Sequence, residues 1–254
     1  VNNNPPVYEV GSTLSYAYLG DYDRNNEWNA LSNSGYPFNI EILGTNLYLS
    51  NEALPGSLNG ELEIAGDLLI DDQGSLFIGG NPYNGLEVKG TVTMGGNDFG
   101  NLYLGDVTGA DLRIGQDFIN NNGSLFLNDR EVEMNGTGNA QNITGLTEFD
   151  YLAINNNGGS VNINNDVTIY KRLRLSEGVL NLALNDIIMF NESIIRKESS
   201  SATMSKSPIT LNSDRYDIQY SSDSYLTHNE WSTNQNLVRD VRIEGAITLS
   251  ISET

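Results

Sequence analysis

The chain has 254 residues, and its 13 Lys and Arg residues against 33 Asp and Glu residues leave a net charge of −20 at pH 7. This charge argues against nucleic acid and against an anionic membrane surface as partners, because both attract proteins through cationic side chains. The chain contains no cysteine, which excludes disulfides and Cys-ligated metals. No apolar run approaches the ~20 residues of a membrane-spanning helix, so we expect no membrane insertion.

Residues 1–46 carry no regular repeat and are predicted to form an N-terminal capping segment. Over residues 47–190, in contrast, one sequence pattern recurs. It consists of two short runs of alternating apolar and polar residues, joined by a polar corner. Its copies begin at Leu62, Leu86, Leu112 and Val161, at intervals of 24, 26 and 49 residues, and a further copy near Val132 lies inside the last interval. Strict alternation of apolar and polar residues is typical of a β-strand, since successive side chains point to opposite faces.

Strands this short do not form a stable sheet by themselves. Three of them per repeat, with corners of Gly and Asn that tolerate positive φ, favour an all-β parallel β-helix (β-solenoid) with about 24 residues per coil. An antiparallel sandwich is the alternative, but its hairpins give no reason for one phrase to recur at this interval. The inward column of the solenoid is predicted to contain Leu62, Ile64, Leu86, Val88, Leu112 and Ile114.

The pattern loosens over residues 191–254. Residues 198–214 are rich in Ser, Thr and Lys and are predicted to form a long polar loop, after which alternation resumes at residue 216. The last alternating segment, residues 238–251, has no polar cap. Because an uncapped solenoid end exposes strand edges, we expect the native protein to continue past Thr254.

Several phrases follow one another in a definite order over most of the chain. The clearest is the segment 151–163, which contains Asn155-Asn156-Asn157-Gly158 and is followed by the segment 173–181. Earlier phrases occupy residues 11–16, 65–70, 116–125 and 132–145. In this order they resemble the repeat regions of very large surface proteins of Bacteroidetes-type bacteria that are exported by type IX secretion. The resemblance implies a cell-surface location and roles in adhesion, gliding or matrix building, and it brings no catalytic residues.

Two features of the sequence bear on catalysis. His228 is the only histidine, so a Ser-His-Asp system would have to use it, and it lies in a polar loop. Parallel β-helices also host polysaccharide hydrolases and lyases, for which Asp71 and Asp72 form the candidate acid pair. Their equivalents on the next coils add no acidic groups; they are Gly95-Gly96 and Asn121-Asn122. We therefore interpret the pair as corner residues that cap backbone N–H groups, and we predict that the protein is not an enzyme.

A ladder of acidic residues occurs at one corner of the repeat. Asp67, Asp117 and Asp166 occupy the same position of their copies, and Thr91 lies in the same column. Such a ladder would supply some of the oxygen ligands that Ca²⁺ requires. Asp and Thr are equally typical of corners in which the side chain accepts a backbone N–H. We predict a structural corner and no cofactor, with Ca²⁺ binding as the alternative.

Aromatic residues recur once per coil in the third strand of the repeat. Tyr48, Phe77, Tyr103 and Phe126 are each flanked by aliphatic residues, at spacings of 29, 26 and 23 residues. If the aliphatic neighbours point into the core, alternation sends the four rings outward to stack on one face. Such stacking stabilises a sheet by itself. An exposed apolar stripe is also typical of an interaction site, and we expect aromatic faces to suit sugar rings.

These patterns predict a structural or adhesive segment of an extracellular surface protein, acting as a rigid spacer that presents binding surfaces away from the cell. The expected partners are neighbouring repeats of the same or a larger chain, together with glycans or other surface ligands. Two alternatives remain open. One is a carbohydrate-active β-helix enzyme, and the other is a subunit of an extracellular filament.

Overall fold

The computed structural model describes residues 4–28, 33–49, 62–79, 85–105, 111–145, 147–221, 224–226, 229–232, 234–244 and 248–250. The protein is all-β, and its parallel sheets form a β-solenoid of about 8 turns with about 23 residues per turn. The predicted fold class is therefore confirmed. Within the described ranges, helical structure is limited to one 3₁₀ turn at Gln235–Leu237.

The chain divides into two compact units, Val1–Arg130 and Glu131–Thr254. The sequence-based segments 1–46, 47–190 and 191–254 describe the regularity of the repeat and stay predictions. The strands of the first unit are β1 (Thr13–Tyr16), β2 (Gly20–Asp23), β3 (Asn39–Leu43), β4 (Thr45–Tyr48), β5 (Leu62–Ile64), β6 (Leu68–Asp71), β7 (Ser75–Phe77), β8 (Gly85–Val88), β9 (Val92–Met94), β10 (Asn101–Tyr103), β11 (Asp111–Ile114), β12 (Phe118–Asn120) and β13 (Ser124–Phe126).

Three faces, each a ladder of parallel strands, make up the first unit. The first face contains β5, β8 and β11, and the second contains β1, β3, β6, β9 and β12. The third face contains β2, β4, β7, β10 and β13. Since each strand pairs with the equivalent strand of the next coil, a residue type that recurs once per coil forms a straight column.

The predicted inward column is confirmed. Leu62 pairs with Leu86 and Leu86 with Leu112, while Val88 lies between Ile64 and Ile114. All six side chains are at most 1% exposed. Alternation therefore assigns the buried side of this face correctly, and burial of aliphatic side chains in a column of this kind is the main stabilising contribution in a solenoid.

Within the residues that the structure describes, the second unit contains twelve strands, which also pair in parallel ladders. They are β14 (Glu131–Met134), β15 (Ala140–Thr144), β16 (Thr147–Ile163), β17 (Val167–Asn181), β18 (Ile187–Met189), β19 (Ile194–Lys197), β20 (Thr203–Met204), β21 (Ile209–Thr210), β22 (Tyr216–Tyr220), β23 (Ser224–Leu226), β24 (Val238–Ile243) and β25 (Thr248–Ser250). Residues 198–214, predicted as one long polar loop, hold the short strands β20 and β21, which pair with β17 and β18.

Coils of the second unit are shorter than the sequence repeat suggested. One column runs through Val132, Leu152, Leu173, Ile195 and Ile218, whose spacings increase from 20 to 23 residues. Val161 instead lies in another column, paired with Gln141 and Leu180. The alignment that placed Val132 and Val161 in successive copies of one column was therefore wrong. The physical reason is that the strands of both faces alternate apolar and polar residues along their length, so alternation alone does not reveal to which face a strand belongs.

Candidate functional site

The four aromatic residues of the predicted stripe form one continuous stack on the outer surface of the third face, in the first unit. Ring centroids are 4.4 Å apart for Tyr48 and Phe77, 4.3 Å for Phe77 and Tyr103, and 4.1 Å for Tyr103 and Phe126. Neighbouring ring planes differ by 10° or less. The predicted stacking is confirmed, and the binding role of the stripe stays a prediction.

Backbone register produces this stack. Strands β4, β7, β10 and β13 pair in parallel, so that each ring lies directly beside the ring of the next coil. On the inner side of the same strands, Leu47, Leu76 and Leu102 are completely buried. Leu125, expected in the core, is only half-buried because β13 is the last strand of its sheet. Phe126 on that strand is 40% exposed.

Stacking changes which part of each ring is accessible. Rings that lie parallel at van der Waals distance cover one another's faces, so mainly their edges point to solvent. The expectation that open aromatic faces would receive a sugar ring is therefore wrong for the inner members of the stack, Phe77 and Tyr103. Burial, followed by the charges of Asp21 and Asp23, raises the pKa of the Tyr48 hydroxyl.

Two further columns flank the rings on the same outer surface. A polar column lies two residues before the rings; it consists of Asn46, Ser75, Asn101 and Ser124. Its members are linked in part by hydrogen bonds, since Asn101 Nδ2 donates to Ser75 Oγ at 3.2 Å. Two residues after the rings, Gly79 and Gly105 leave a recess of about 260 Å³. The recess is lined by Tyr48, Phe77, Gly79, Tyr103, Leu104, Gly105 and Asn128.

Asp71 is a buried capping residue. Its carboxylate accepts hydrogen bonds from the backbone N–H groups of Asn97 at 3.1 Å and Asp98 at 3.0 Å, and from Asn97 Nδ2 at 3.3 Å. Burial by itself raises the pKa of the Asp71 carboxyl, but these donors and the N–H of Asp72 outweigh it and lower that pKa. An ionised acceptor of this kind suits a corner and not a general acid.

The surroundings of Asp71 also contain an acidic residue that the sequence argument missed. Register places Gly95 and Asn121 in the Asp71 column, as predicted. Asp98 nevertheless approaches from the adjacent coil, and its carboxylate accepts a hydrogen bond from Gln73 Nε2 at 3.0 Å. It was missed because a corner loop, unlike a strand, does not keep register. Asp72 is exposed and adopts a φ of 52°, as does Gln73 at 64°, which is the left-handed geometry of the corner.

The acidic corner ladder forms the hydrogen bonds of a structural corner. Asp67 Oδ1 accepts the backbone N–H of Thr91 on the next coil at 2.8 Å. Asp166 was wrongly aligned with this ladder, because the strand before it pairs with β15 and so belongs to another face; its Oδ1 nevertheless accepts the N–H of Asp186 on the next coil at 2.8 Å. Each carboxylate therefore joins one coil to the next. Across the part of the chain that the structure describes, no group of three His, Asp or Glu side chains is placed to hold a metal ion.

A fully buried ion pair lies in the second unit. Lys197 Nζ is 2.7 Å from Glu230 Oε1, and neither side chain has exposed surface. The pair was not predicted from the sequence. Lys197 nevertheless lies two residues after the buried Ile195 on β19, so its side chain had to point inward as well. Its partner is 33 residues away in the segment 229–232, where no periodic pattern announces it.

On the outer surface of the second unit, charged residues form a network across several coils. Arg174 reaches Glu131 at 2.6 Å, Glu133 at 3.3 Å and Glu198 at 3.3 Å. In doing so it passes over Ala153, the residue paired with it on the intervening strand, which is completely buried. Burial acts to lower the pKa of the Arg174 guanidinium, but the surrounding carboxylates outweigh it and raise that pKa.

His228 lies outside the described residues. None of the helical structure within the described ranges is long and apolar enough to span a membrane. Comparison with known proteins gives no match to a family model, to a curated protein or to a solved structure.

Proposed function

We propose that this chain is a structural and adhesive segment of a secreted bacterial surface protein, in which the solenoid is the spacer and the ring stack is the binding surface. The observation that carries the proposal is the stack itself, with one ring per coil from Tyr48 to Phe126. Ring edges on the outside of a fully packed face form a continuous apolar strip, which is a typical property of an interaction surface.

The solenoid supplies the properties of a spacer. Within the described residues, the three coils that contain β5, β8 and β11 hydrogen-bond to one another along all three faces, and corner residues such as Asp67 add side-chain bonds between coils. Bending such a ladder would break several hydrogen bonds at once. The resemblance to surface repeat regions supports an extracellular location, and the high negative charge supports solubility there.

Two experiments test this proposal. Antibodies raised against the chain should label intact cells of the source bacterium, and labelling only after lysis would contradict a surface location. For adhesion, the chain is displayed on an anchor on a non-adherent bacterial host, and retention on surfaces coated with cell-envelope or matrix material is measured. We expect retention to fall when Tyr48, Phe77, Tyr103 and Phe126 are all replaced by Ser.

The matched control removes aromatic residues elsewhere. Tyr170 and Phe190 form an edge-on pair in the second unit, with ring centroids 5.3 Å apart, and Phe190 is 47% exposed. The Tyr170→Ser/Phe190→Ser variant should be retained like the parent. Equal retention of the parent and the quadruple Ser variant, with both folded by circular dichroism, would rule out the ring stack as the adhesive surface.

The enzyme alternative depends on Asp71 as an acid or base, and the three hydrogen bonds to its carboxylate disfavour that role. A screen for depolymerisation of polysaccharides tests it directly. Activity that disappears in an Asp71→Asn or Asp72→Asn variant would replace the adhesive proposal. The filament alternative predicts ordered polymers of the purified chain, which electron microscopy would reveal.

A further inference from the structure

The outer surface of the third face in the first unit repeats a polar side chain and a ring edge on each coil, and its two central coils add a glycine recess. From one side to the other these are a polar side chain, a ring edge and a glycine recess, as in Ser75, Phe77 and Gly79. The next coil repeats them as Asn101, Tyr103 and Gly105. Successive strands are about 4.8 Å apart, so the surface is a one-dimensional lattice with one set of contacts per coil.

We infer that this surface binds a neutral, unbranched, β-1,4-linked glycan chain lying parallel to the solenoid axis; the inference rests on the proposed adhesive function and names its ligand class. A chain of this linkage is an extended ribbon whose sugar residues are similar in length to one coil. Each sugar residue presents C–H groups and hydroxyls side by side. It therefore meets a ring edge and a polar side chain at each coil, and a glycine recess at the two central coils.

Other ligand classes fit this surface less well. A peptide adds to a sheet through unpaired backbone groups, but strands β7 and β10 are already paired on both sides. A lipid chain offers no hydrogen bonds to the polar column, in which Asn101 and Ser75 would keep only the bond between them. The rings point their edges outward, so a single sugar stacked flat on a ring face is also excluded for Phe77 and Tyr103.

The negative charge of the first unit favours a neutral glycan chain over an acidic one. The first unit contains 4 basic and 17 acidic residues and so has a net charge of −13. Asp21 and Asp23 lie at one end of the ring stack, where Asp23 pairs with Tyr48. Glycans that carry carboxylate or sulfate groups would be repelled by this field. Hydroxyl groups have no such penalty and find acceptors and donors in the polar column.

Native gel electrophoresis through soluble polysaccharide tests the inference with the full chain. We expect hydroxyethylcellulose, glucomannan or soluble chitin oligomers, the last tested by calorimetry, to bind the parent. Carboxymethylcellulose, which has the same backbone with added charge, should bind at least about tenfold more weakly. Absence of binding by all three neutral probes, or binding of the acidic probe as tight as the neutral one, would overturn the inference.

Variants locate the binding surface. Phe77→Ser/Tyr103→Ser should weaken binding at least about tenfold, because these rings are at the centre of the stack. Asn101→Arg keeps the stack but places a long side chain across it, and it should weaken binding similarly even if the ring variant is unstable. The Tyr170→Ser/Phe190→Ser control should bind like the parent. Binding unchanged in both folded surface variants would refute the assignment.

The outcome is separable from that of the adhesion experiment. If the quadruple Ser variant loses adhesion while no neutral glycan binds the purified chain, the adhesive proposal stands and the ligand class is wrong. If glycan binding depends on the rings while cells displaying the chain do not adhere, the ligand class stands and the adhesive role is wrong.

Discussion

Breaking the buried Lys197–Glu230 pair is the sharpest test of the structure of the second unit. The pair joins strand β19 to the segment 229–232, where the backbone carbonyl of Glu230 also accepts the Tyr216 hydroxyl at 2.9 Å. Neither charged side chain contacts solvent. A single replacement therefore leaves the other charge buried without its partner, and the electrostatic cost is not relieved by water.

The expected losses in the free energy of unfolding follow from this burial. Lys197→Met should reduce the free energy of unfolding by about 3–5 kcal/mol, and Glu230→Leu by a similar amount. The double variant removes both charges and keeps apolar volume, so its stability should lie within about 1–2 kcal/mol of the parent. The control is Arg196→Met on the same strand, which breaks a partly exposed pair with Glu198 and should cost no more than ~1 kcal/mol.

Denaturant unfolding followed by tryptophan fluorescence measures these differences. The chain has two tryptophans, and Trp231 reports on this region because its Nε1 donates to the Tyr220 hydroxyl at 2.9 Å. A Trp28→Phe background makes the signal specific to it. Two results would refute the reasoning. One is a cost below ~1 kcal/mol for both single variants, and the other is a double variant whose loss equals the sum of the two.

Three further predictions concern the core, a corner and a strained position. Leu86→Ala should cost about 2–5 kcal/mol and Val88→Asp at least as much, as measured by denaturant unfolding; parent-like stability would contradict the assigned register. Asp71→Asn should cost about 1–3 kcal/mol at pH 7. The folded-state pKa of Asp71 is lowered, so its carboxylate contributes fully to the free energy of unfolding above the ordinary aspartate pKa near 4. This contribution is lost as pH falls through the lowered pKa, and the stabilities of the parent and the variant should therefore become equal in acid. Ala183 has a φ of 50°, and Ala183→Gly should raise stability by up to about 1 kcal/mol, because relief of the left-handed strain exceeds the entropic cost of glycine; a lower melting temperature would contradict this.

Several features of the fold were predictable because they depend on local chemistry that repeats. Alternation decides which side of a strand faces inward, so Leu86 and Val88 were assigned to the core and Phe77 and Tyr103 to the surface. Asp67 was predictable as a corner residue because its side chain accepts a backbone N–H on the next coil. These features require only that coils stack in register, which the repeat itself indicates.

Other features were not accessible from periodicity. The shorter coils of the second unit, which begin at 20 residues, were missed because a segment that fits two faces of the solenoid equally well does not reveal to which face it belongs. The stacking of the rings was predicted, but its consequence for ligand binding was not. Only the 4.3 Å separation of Phe77 and Tyr103 shows that the rings cover one another's faces and leave their edges to meet a partner.

By itself, the sequence determined the fold class, the inward column and the existence of an aromatic stripe, because each follows from side-chain alternation and a near-constant repeat length. Tertiary structure alone decided which distant groups meet. Lys197 is neutralised by Glu230 from a segment without periodicity, Arg174 spans a coil because the intervening residue is Ala153, and Asp98 reaches Asp71 from a loop outside the register. Such contacts depend on the three-dimensional course of corners and loops, where no repeating pattern constrains the chain, and so they are invisible to an argument from spacing.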